Sequence, residues 1–185
     1  MAQLKLFMVL IGCKPEGRHT EQHDIFFGIG SELRDLIPDM LAFWPEANGK
    51  LHIDGWREVN YVDQYQVKVV EKQAAAREAA QLFFLNLGGY KPGEMEEFHY
   101  KIVSVKKDIG EAIRAAKETT FFKHTTFEDA TSHVDDKYGV DVDDIYAVKD
   151  ILPAHLKEKY TLEISPAGEA TSDQLYLGYF QLSKI

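Results

Sequence analysis

The chain has 185 residues, of which 45% are hydrophobic and 12% aromatic, a composition typical of a globular protein with a sizeable core. Its 30 acidic residues outnumber 21 basic ones, the formal net charge is −9, and the basic residues are scattered along the chain. Because nucleic acids and anionic membrane surfaces attract concentrated positive charge, the composition predicts neither as a partner.

The first predicted elements recur later in the chain at an offset of 76 residues. Leu6–Gly12 and Leu82–Gly88 each predict a strand that runs into a glycine turn. Ile25–Ile29 and Lys101–Val105 predict the second strand of each copy by their β-branched and aromatic content. We therefore interpret the sequence as one unit of roughly 75 residues written twice in tandem.

A helix is predicted after the second strand in both copies. Apolar residues recur at helical spacing over residues 33–44 in the first copy and 109–116 in the second. Pro38 lacks an amide donor, so we expect it to kink or split the first helix. Arg114 stands at the equivalent position, and the second helix is expected to be straighter.

After the helix the two copies match again at an offset of 81 residues. His52-Ile53-Asp54 is then aligned with His133-Val134-Asp135, and Asp63–Val67 with Asp144–Val148, which predicts a closing strand or hairpin. The segment Gln73–Gln81 that joins the copies is rich in alanine and has helical propensity.

The segment after the second copy has no counterpart in the first. Pro153–Lys159 predicts a short helix, and Tyr160–Ile164 with Leu175–Leu182 predict a hairpin that covers an exposed sheet edge. The fold class is thus α+β, with internally duplicated β-β-α-β(β) units related by a pseudo-twofold and a C-terminal β-hairpin. The expected domains are a first unit (1–72), a linker (73–81), a second unit (82–150), and a C-terminal helix and hairpin (151–185) that packs on the second unit within one compact globule.

Five strings of residues carry a resemblance to a known family. They are Leu6–Gly12, His23–Gly30, Asp35–Pro38, His52–Val59 and Leu87–Glu94. Over roughly residues 4–150 the chain resembles domain-of-unknown-function family 1543, a small bacterial group with one or two copies of the unit. The resemblance implies the duplicated unit and a bacterial source, and it implies no assigned activity or catalytic residues.

Pairs of an acidic residue and a histidine, two positions apart, are the first candidates for chemistry: Glu21 with His23, His52 with Asp54, Glu97 with His99, and His133 with Asp135. Residues two apart on a strand share a face, so each pair sets a carboxylate beside an imidazole. Such pairs orient a general base or bind zinc or iron. The catalytic candidates are Glu21, His23, His52 and Asp54, and the metal candidates are His23, His52, His99 and His133. Alternatively, the pairs fix turns by hydrogen bonding, and their presence in both copies favours this interpretation.

Ligand-binding candidates form a second group: Lys14, Arg18, His19, Trp56, Arg57 and Lys91. The glycine turns around Lys14 and Lys91 could present amides and charge to an anion, but ordinary turns are favoured because the spacing is not that of a P-loop. The other four residues occur only in the first copy. Cys13 is the single cysteine, which excludes an intrachain disulfide and favours a reducing, cytoplasmic compartment.

No motif of a specific catalytic class is present. The favoured hypothesis is therefore a cytoplasmic, non-catalytic protein that binds a small polar ligand or a protein partner, with the cofactor unknown and a homo-oligomer left open. The alternative is a metal-dependent or acid–base enzyme built on the Glu-x-His and His-x-Asp pairs. Convergence of Glu21, His23, His52 and Asp54 on one point would favour chemistry, and their dispersal into separate turns would argue against it.

Overall fold

The computed structural model describes residues 3–72, 80–90, 93–118, 140–168 and 172–185. These residues form helices and antiparallel strands, which confirms the α+β class. No helix in the described part of the chain is long and apolar enough to cross a membrane. The expected linker helix at Gln73–Gln81 lies largely outside the described residues.

The strands are, in chain order, β1 (Lys5–Cys13), β2 (Gln22–Gly30), β3 (His52–Glu58), β4 (Tyr61–Val62), β5 (Tyr65–Glu71), β6 (Gln81–Tyr90), β7 (Glu97–Lys106), β8 (Val140–Ala147), β9 (Tyr160–Pro166) and β10 (Tyr176–Gln181). The α-helices are α1 (Ile37–Phe43), α2 (Ile109–Lys117), α3 (Val148–Ile151) and α4 (Ala154–Lys159). Contacts divide the chain into two compact units, Met1–Ala76 with Ile151–Ile185, and Arg77–Asp150.

The main sheet of the first unit has the strand order β10-β3-β1-β2, with every pair antiparallel. Alternate residues of β1 point to one face and are buried there: Phe7, Val9, Ile11 and Cys13. Leu36 and Met40, from the helical segment, pack against them. The other face of β1 carries Gly12, a residue without a side chain.

Pro38 divides the first helical segment, as the sequence predicted. A 3₁₀ turn at Leu33–Leu36 precedes α1, and Pro38 is the second residue of α1. Amide groups in the first turn of a helix have no intrahelical acceptor, so proline costs no hydrogen bond at this position. The helix α2 has no such break. Its N-cap is Asp108, whose side chain accepts a hydrogen bond of 2.8 Å from the amide of Glu111.

A second sheet of the first unit has the order β4-β5-β9. The strands β4 and β5 form a hairpin around Asp63 and Gln64, whose φ angles are 49° and 67°. Two consecutive left-handed residues are typical of a type I′ turn, which matches the twist of the flanking strands. The predicted closing hairpin in this region is confirmed.

The expected C-terminal hairpin is wrong in its pairing. The strand β9 pairs with β5, and β10 pairs with β3, so the two strands lie in different sheets. Residues 151–185 accordingly belong to the first unit, not to the second as expected. The physical reason is that β3 and β5 each have an edge of unpaired backbone groups, which β10 and β9 satisfy. The expectation that this segment covers a sheet edge is thereby confirmed.

The second unit has a three-stranded sheet of order β7-β6-β8, with α2 packed against it. Its register repeats that of the first unit: Gly88 pairs with His99 and Asp141, as Gly12 pairs with His23 and His52. Both sheets also have a register irregularity, after Leu10 in the first and after Asn86 in the second.

This register corrects the sequence alignment of the third strands. The positions of His52 and Asp54 in β3 are taken in β8 by Asp141 and Asp143, at an offset of 89 residues in place of 81. His133 and Asp135, which the sequence alignment paired with them, lie outside the described residues. The two His-x-Asp strings are similar only over three residues. Whether two strands are equivalent depends on which distant strand each one pairs with, and the sequence alignment does not contain that information.

Candidate metal centre

Gly12 lies at the centre of a row of three residues that crosses the main sheet of the first unit. It pairs with His23 on β2 and with His52 on β3. Directly opposed residues project from the same face, so both imidazoles stand beside a position without a side chain. A Cβ atom at Gly12 would lie 2.6 Å from His52 Nε2 and 3.0 Å from His23 Cδ2. The glycine therefore provides the space in which the two histidines meet.

Asp54 enters the same space because β3 has a bulge. Gly55 pairs with Leu10 and Ile53 with Ile11, which leaves Asp54 as the extra residue between them. A bulge redirects the side chain of the extra residue. The Oδ2 atom of Asp54 lies 3.2 Å from His23 Nε2 and 3.2 Å from His52 Nε2. One carboxylate oxygen thus contacts both imidazoles.

Glu21 approaches from the solvent side, immediately before β2 begins. Its Oε1 atom lies 3.0 Å from His52 Nε2, and its Oε2 atom lies 4.0 Å from His23 Nε2. Glu21, His23 and His52 each offer one potential ligand atom, and these three atoms all lie within 4.8 Å of one another. All four catalytic candidates from the sequence are therefore brought together. They lie on β3, on β2 and just before β2, and β2 and β3 do not pair with each other.

The inner part of this cluster contains polar atoms that lack hydrogen bonds. His52 is 5% exposed, and neither its Nε2 atom nor Asp54 Oδ2 has a hydrogen-bond partner among the described residues. A buried polar atom without a partner costs about 1–3 kcal/mol, so native proteins rarely retain one. A metal ion would satisfy both atoms at once.

The spacing and charge of the cluster fit such an ion. Two nitrogen or oxygen ligands at about 2.0–2.1 Å from a tetrahedral metal are about 3.3 Å apart. The contacts of Asp54 Oδ2 with the two imidazoles are 3.2 Å, and that of Glu21 with His52 is 3.0 Å. Two carboxylates supply negative charge, and two imidazoles supply the nitrogen ligands that zinc and iron prefer. The side chains of Glu21 and His23 are 45% and 40% exposed, which leaves the site open to solvent.

Tyr179, on β10, packs on the His52 imidazole, with the ring centroids 4.5 Å apart and the planes inclined by 30°. Sequence analysis missed both Tyr179 and Gly12 as residues of this site. A glycine inside a strand pattern is a signal of close approach to a ligand or another chain segment, so Gly12 could have been found. Tyr179 could not, because its place beside His52 depends on the pairing of β10 with β3.

The predicted ligand-binding residues do not join the cluster as a group. Trp56 packs on the hydrophobic core and stacks on Tyr176, with centroids 4.1 Å apart. Burial lowers the pKa of the Arg57 guanidinium, and the charge of Asp173 opposes that shift. Three of the predicted residues are exposed in the loop between β1 and β2, namely Lys14, Arg18 and His19. Lys91 lies outside the described residues.

Cys13 is adjacent to Gly12 but belongs to the hydrophobic core on the other face of the sheet. Burial raises the pKa of its thiol, and the negative charges of Glu21 and Glu46 raise it further. A nucleophilic cysteine needs the opposite shift, because the thiolate is the reactive form. The thiol is therefore a core group.

In the second unit the pair Glu97 and His99 is present, with Glu97 Oε2 at 3.8 Å from His99 Nε2. The Nδ1 atom of His99 also lies 3.2 Å from Asn86 Nδ2. His133, the remaining metal candidate, is outside the described residues. Across the described ranges, the cluster of Glu21, His23 and His52 is the one group of at least three metal-ligating side chains.

Comparison with known proteins shows a shared fold and a family match over part of the chain. No curated protein matches the chain. The crystal structure of protein Il1583 from Idiomarina loihiensis is similar, with a TM-score of 0.65, coverage of 97% of both chains and 22% sequence identity, which shows a shared fold. The family model described as Domain of Unknown Function (DUF1543) matches residues 18–69, a range that contains all four residues of the cluster. Over that range the chain is a match to the DUF1543 family, which confirms the resemblance seen in its sequence.

Proposed function

We propose that the protein binds a divalent transition-metal ion in its first unit, through His23, His52 and the carboxylates of Asp54 and Glu21. The observation that carries this proposal is the meeting of two imidazole nitrogens and a carboxylate oxygen at one point, with two of these atoms buried and without hydrogen bonds. The mixed nitrogen and oxygen set favours zinc, iron(II) or a similar ion over calcium or magnesium.

The two competing hypotheses from the sequence account for less of the geometry. If these residues fixed turns, their side chains would hydrogen-bond to backbone groups, yet no hydrogen bond of that kind joins any of the four to a described residue. An acid–base pair of His52 and Asp54 would explain their contact of 3.2 Å. It would not explain why the same oxygen of Asp54 also lies 3.2 Å from His23 Nε2. The presence of similar pairs in both copies, which favoured the turn hypothesis, also weakens once Asp141 takes the position of His52.

We also propose that the two units are copies of one ancestral unit. This is supported by their shared strand order, shared register and shared irregularity after Leu10 and Asn86. The pseudo-twofold relation between them stays a prediction. A bacterial, cytoplasmic setting and the absence of nucleic-acid or membrane partners are likewise proposals, supported by the family match, the single cysteine and the acidic composition.

Metal analysis of the full chain, purified without a polyhistidine tag, tests the main proposal. We expect elemental analysis and calorimetric titration with Zn²⁺ and Co²⁺ to find a site that is lost in both His52→Ala and Asp54→Asn. The matched control is His155→Ala, since His155 is a histidine of the same unit whose Nε2 atom lies 3.4 Å from Asp39 Oδ2. Wild-type protein that binds neither ion, or variants that bind as wild type does while circular dichroism shows them folded, would overturn the proposal.

A further inference from the structure

We propose that the second unit contains a cation centre of its own, at the register positions that form the candidate centre of the first unit, and that this centre prefers Mn²⁺. The inference extends the proposed function to a second site, and it rests on that function because the first centre supplies the pattern. The residues at the matching positions are Gly88, Glu97, His99, Asp141 and Asp143.

Gly88 lies at the centre of a row of residues that crosses β7, β6 and β8. It pairs with His99 on one side and with Asp141 on the other. The row in the first unit has the same form, with a glycine between two residues that can bind a metal. Directly opposed residues of neighbouring strands lie on one face of a sheet. His99 and Asp141 are thus placed on one face, on either side of a position without a side chain.

The bulge of the first centre is repeated in the second unit. The irregularity in the pairing of β6 with β8 lies between Asn86 and Leu87, and it leaves Asp143 as the extra residue of β8. The extra residue of β3 is Asp54, which approaches both imidazoles of the first centre. The pairing itself does not require a carboxylate at this position, because ladder hydrogen bonds use only backbone groups. Its presence in both units therefore indicates a shared role as a ligand.

Glu97 and His99 are arranged as Glu21 and His23 are. Glu97 Oε2 lies 3.8 Å from His99 Nε2, and the corresponding distance in the first unit is 4.0 Å. The side chains are also similarly exposed, at 40% and 38% in the second unit against 45% and 40% in the first. Both distances exceed the range of a hydrogen bond, and they leave room for a cation between the carboxylate and the imidazole.

Asn86 holds the ring of His99 in an orientation that suits metal binding. Its side-chain amide lies 3.2 Å from His99 Nδ1, so the ring presents Nε2 to Glu97. A half-turn of the amide exchanges its nitrogen and its oxygen, and the oxygen accepts a hydrogen bond from Nδ1. Such a bond keeps the proton on Nδ1 and leaves the lone pair of Nε2 for an ion, as is usual where histidine binds a metal.

The second set of ligands is richer in carboxylates than the first. Asp141 takes the position of His52, so three carboxylates and one imidazole stand where the first centre has two of each. In the neighbouring row, Asp144 adds a carboxylate and Lys101 adds an ammonium group. With the imidazole neutral, four carboxylates and one ammonium group give these rows a charge of −3. Carboxylates at adjacent register positions repel one another, and a divalent cation removes that repulsion.

This set of ligands favours Mn²⁺. Carboxylates suit Mg²⁺, Ca²⁺ and Mn²⁺, whereas imidazole suits zinc, copper, iron and nickel. Of the ions that prefer oxygen, Mn²⁺ is the transition metal, and imidazole is a regular ligand of that series. Because Zn²⁺ binds most sites of this kind more tightly than Mn²⁺ does, the two centres differ in the ratio of the two affinities, which should be smaller in the second unit.

The test uses the full chain, purified without a polyhistidine tag and loaded with a single equivalent of Zn²⁺ to occupy the first centre. Mn²⁺ is then titrated, and electron paramagnetic resonance measures the free ion, whose sharp signal broadens on binding. We expect saturable binding of one Mn²⁺, with an affinity at least about 100-fold weaker in His99→Ala and Asp141→Asn. His52→Ala, without Zn²⁺, should keep the Mn²⁺ site. Glu94→Gln is the matched control, since Glu94 is an exposed carboxylate of the same unit.

Asp141→His is a gain-of-function variant, whose effect a loss of stability cannot imitate. It gives the second centre the ligand types of the first, so the affinity of this site for Zn²⁺ should rise by at least about 10-fold while that for Mn²⁺ falls. Calorimetric titration should then find a second tight Zn²⁺ site. With Co²⁺, whose visible spectrum reports its coordination, the absorption of the fully loaded variant should show two centres of the same type.

The outcomes separate this inference from the proposed function. A chain that binds Zn²⁺ but no additional Mn²⁺ overturns the inference alone, and so does an Mn²⁺ site that is lost in His52→Ala and kept in His99→Ala. Asp141→Asn that binds Mn²⁺ as wild type does, while circular dichroism shows it folded, also overturns the inference. Mn²⁺ binding that depends on His99, in a chain that takes up no Zn²⁺ through His52, supports the second centre and overturns the proposed function. Wild-type protein that binds neither ion overturns both.

Discussion

His52 Nε2 and Asp54 Oδ2 lie 3.2 Å apart on one strand, and no hydrogen bond joins them. Both atoms border the space above Gly12, since a Cβ atom built there would lie 2.6 Å from each. Two polar atoms that approach each other without a hydrogen bond are arranged for a third group. They can meet above residue 12 because glycine has no side chain there.

We expect Gly12→Ala to weaken metal binding strongly and leave the fold intact. The added methyl group would displace Asp54 Oδ2 and His52 Nε2, which are the ends of side chains and can move away without a backbone shift. Calorimetric titration with Zn²⁺ should show an affinity at least about 100-fold weaker, on the scale of lost ligand geometry. The matched control is Gly168→Ala, where a Cβ atom would meet nothing within 4 Å. Unchanged affinity in Gly12→Ala would contradict the proposed centre.

Tyr179→Ala should weaken metal binding by about 10-fold, because residues that orient a ligand typically contribute 10–100-fold to affinity. The contact with His52 uses the tyrosine ring, with centroids 4.5 Å apart, so Tyr179→Phe should bind as wild type does. The Co²⁺ spectrum should change in the alanine variant only, which separates ligand orientation from a general loss of stability. Leu177→Ala is the control, as Leu177 is 69% exposed on the same strand. If both Tyr179 variants weakened metal binding equally, the packing of the ring on His52 would not be the cause.

Asp35→Asn should lower the free energy of unfolding at pH 7 by less than about 1 kcal/mol, since the group is exposed and acts as a helix cap. Its Oδ2 atom accepts hydrogen bonds from Ser31 Oγ at 2.7 Å and from the amides of Ser31 and Glu32 at 2.8 and 3.1 Å. The Ser31 hydroxyl bond, followed by the two amide bonds, lowers the pKa of Asp35 below its usual value.

The pH dependence of this effect has a definite sign. Because the pKa is lower in the folded protein, the stabilisation is present above the unfolded pKa and is lost as the pH falls through the folded pKa. Urea denaturation of wild type and Asp35→Asn should therefore differ at pH 7 and converge near pH 3 or below. Glu16→Gln, in an exposed loop, serves as a carboxylate control. A difference that is the same at both pH values would show that the carboxylate charge is not responsible.

The thiol of Cys13 should react with Ellman's reagent at pH 8 about 100-fold more slowly in the folded protein than in urea. Burial and the nearby charges of Glu21 and Glu46 raise its pKa, so little thiolate is present, and the side chain is 1% exposed. Cys13→Ala should bind Zn²⁺ with wild-type affinity because the thiol lies in the core on the opposite face. Fast labelling, or loss of the metal in this variant, would contradict that placement.

Local chemistry explains which parts of the fold were predictable. Strands β1 and β2, helix α1 and its interruption at Pro38 follow from patterns of neighbouring residues, and each is confirmed. The pairing of β9 with β5 was not predictable, because it joins residues about 95 positions apart by backbone hydrogen bonds that carry no side-chain signature. The expected hairpin failed for this reason.

The candidate site, too, was predictable only in the features that depend on neighbouring residues. The spacing of Glu21 and His23, and of His52 and Asp54, predicted that each pair shares a face. Their meeting depends on a central strand with a glycine at the matching position and on a bulge that adds one residue. Neither the order of the strands nor the bulge is visible in a single sequence. The mismatch of His52 with His133 has the same origin, since a local string was compared without its pairing partner.

The row through Gly12 joins His23 and His52 from two strands that touch only through β1. An ion held between them would fasten β2, at the edge of the sheet, to β3 on the far side of β1. A slip of β2 by one residue would turn His23 to the opposite face and empty the coordination set. Metal binding would thus select the correct register of β2, because only molecules with β2 in that register could hold the ion.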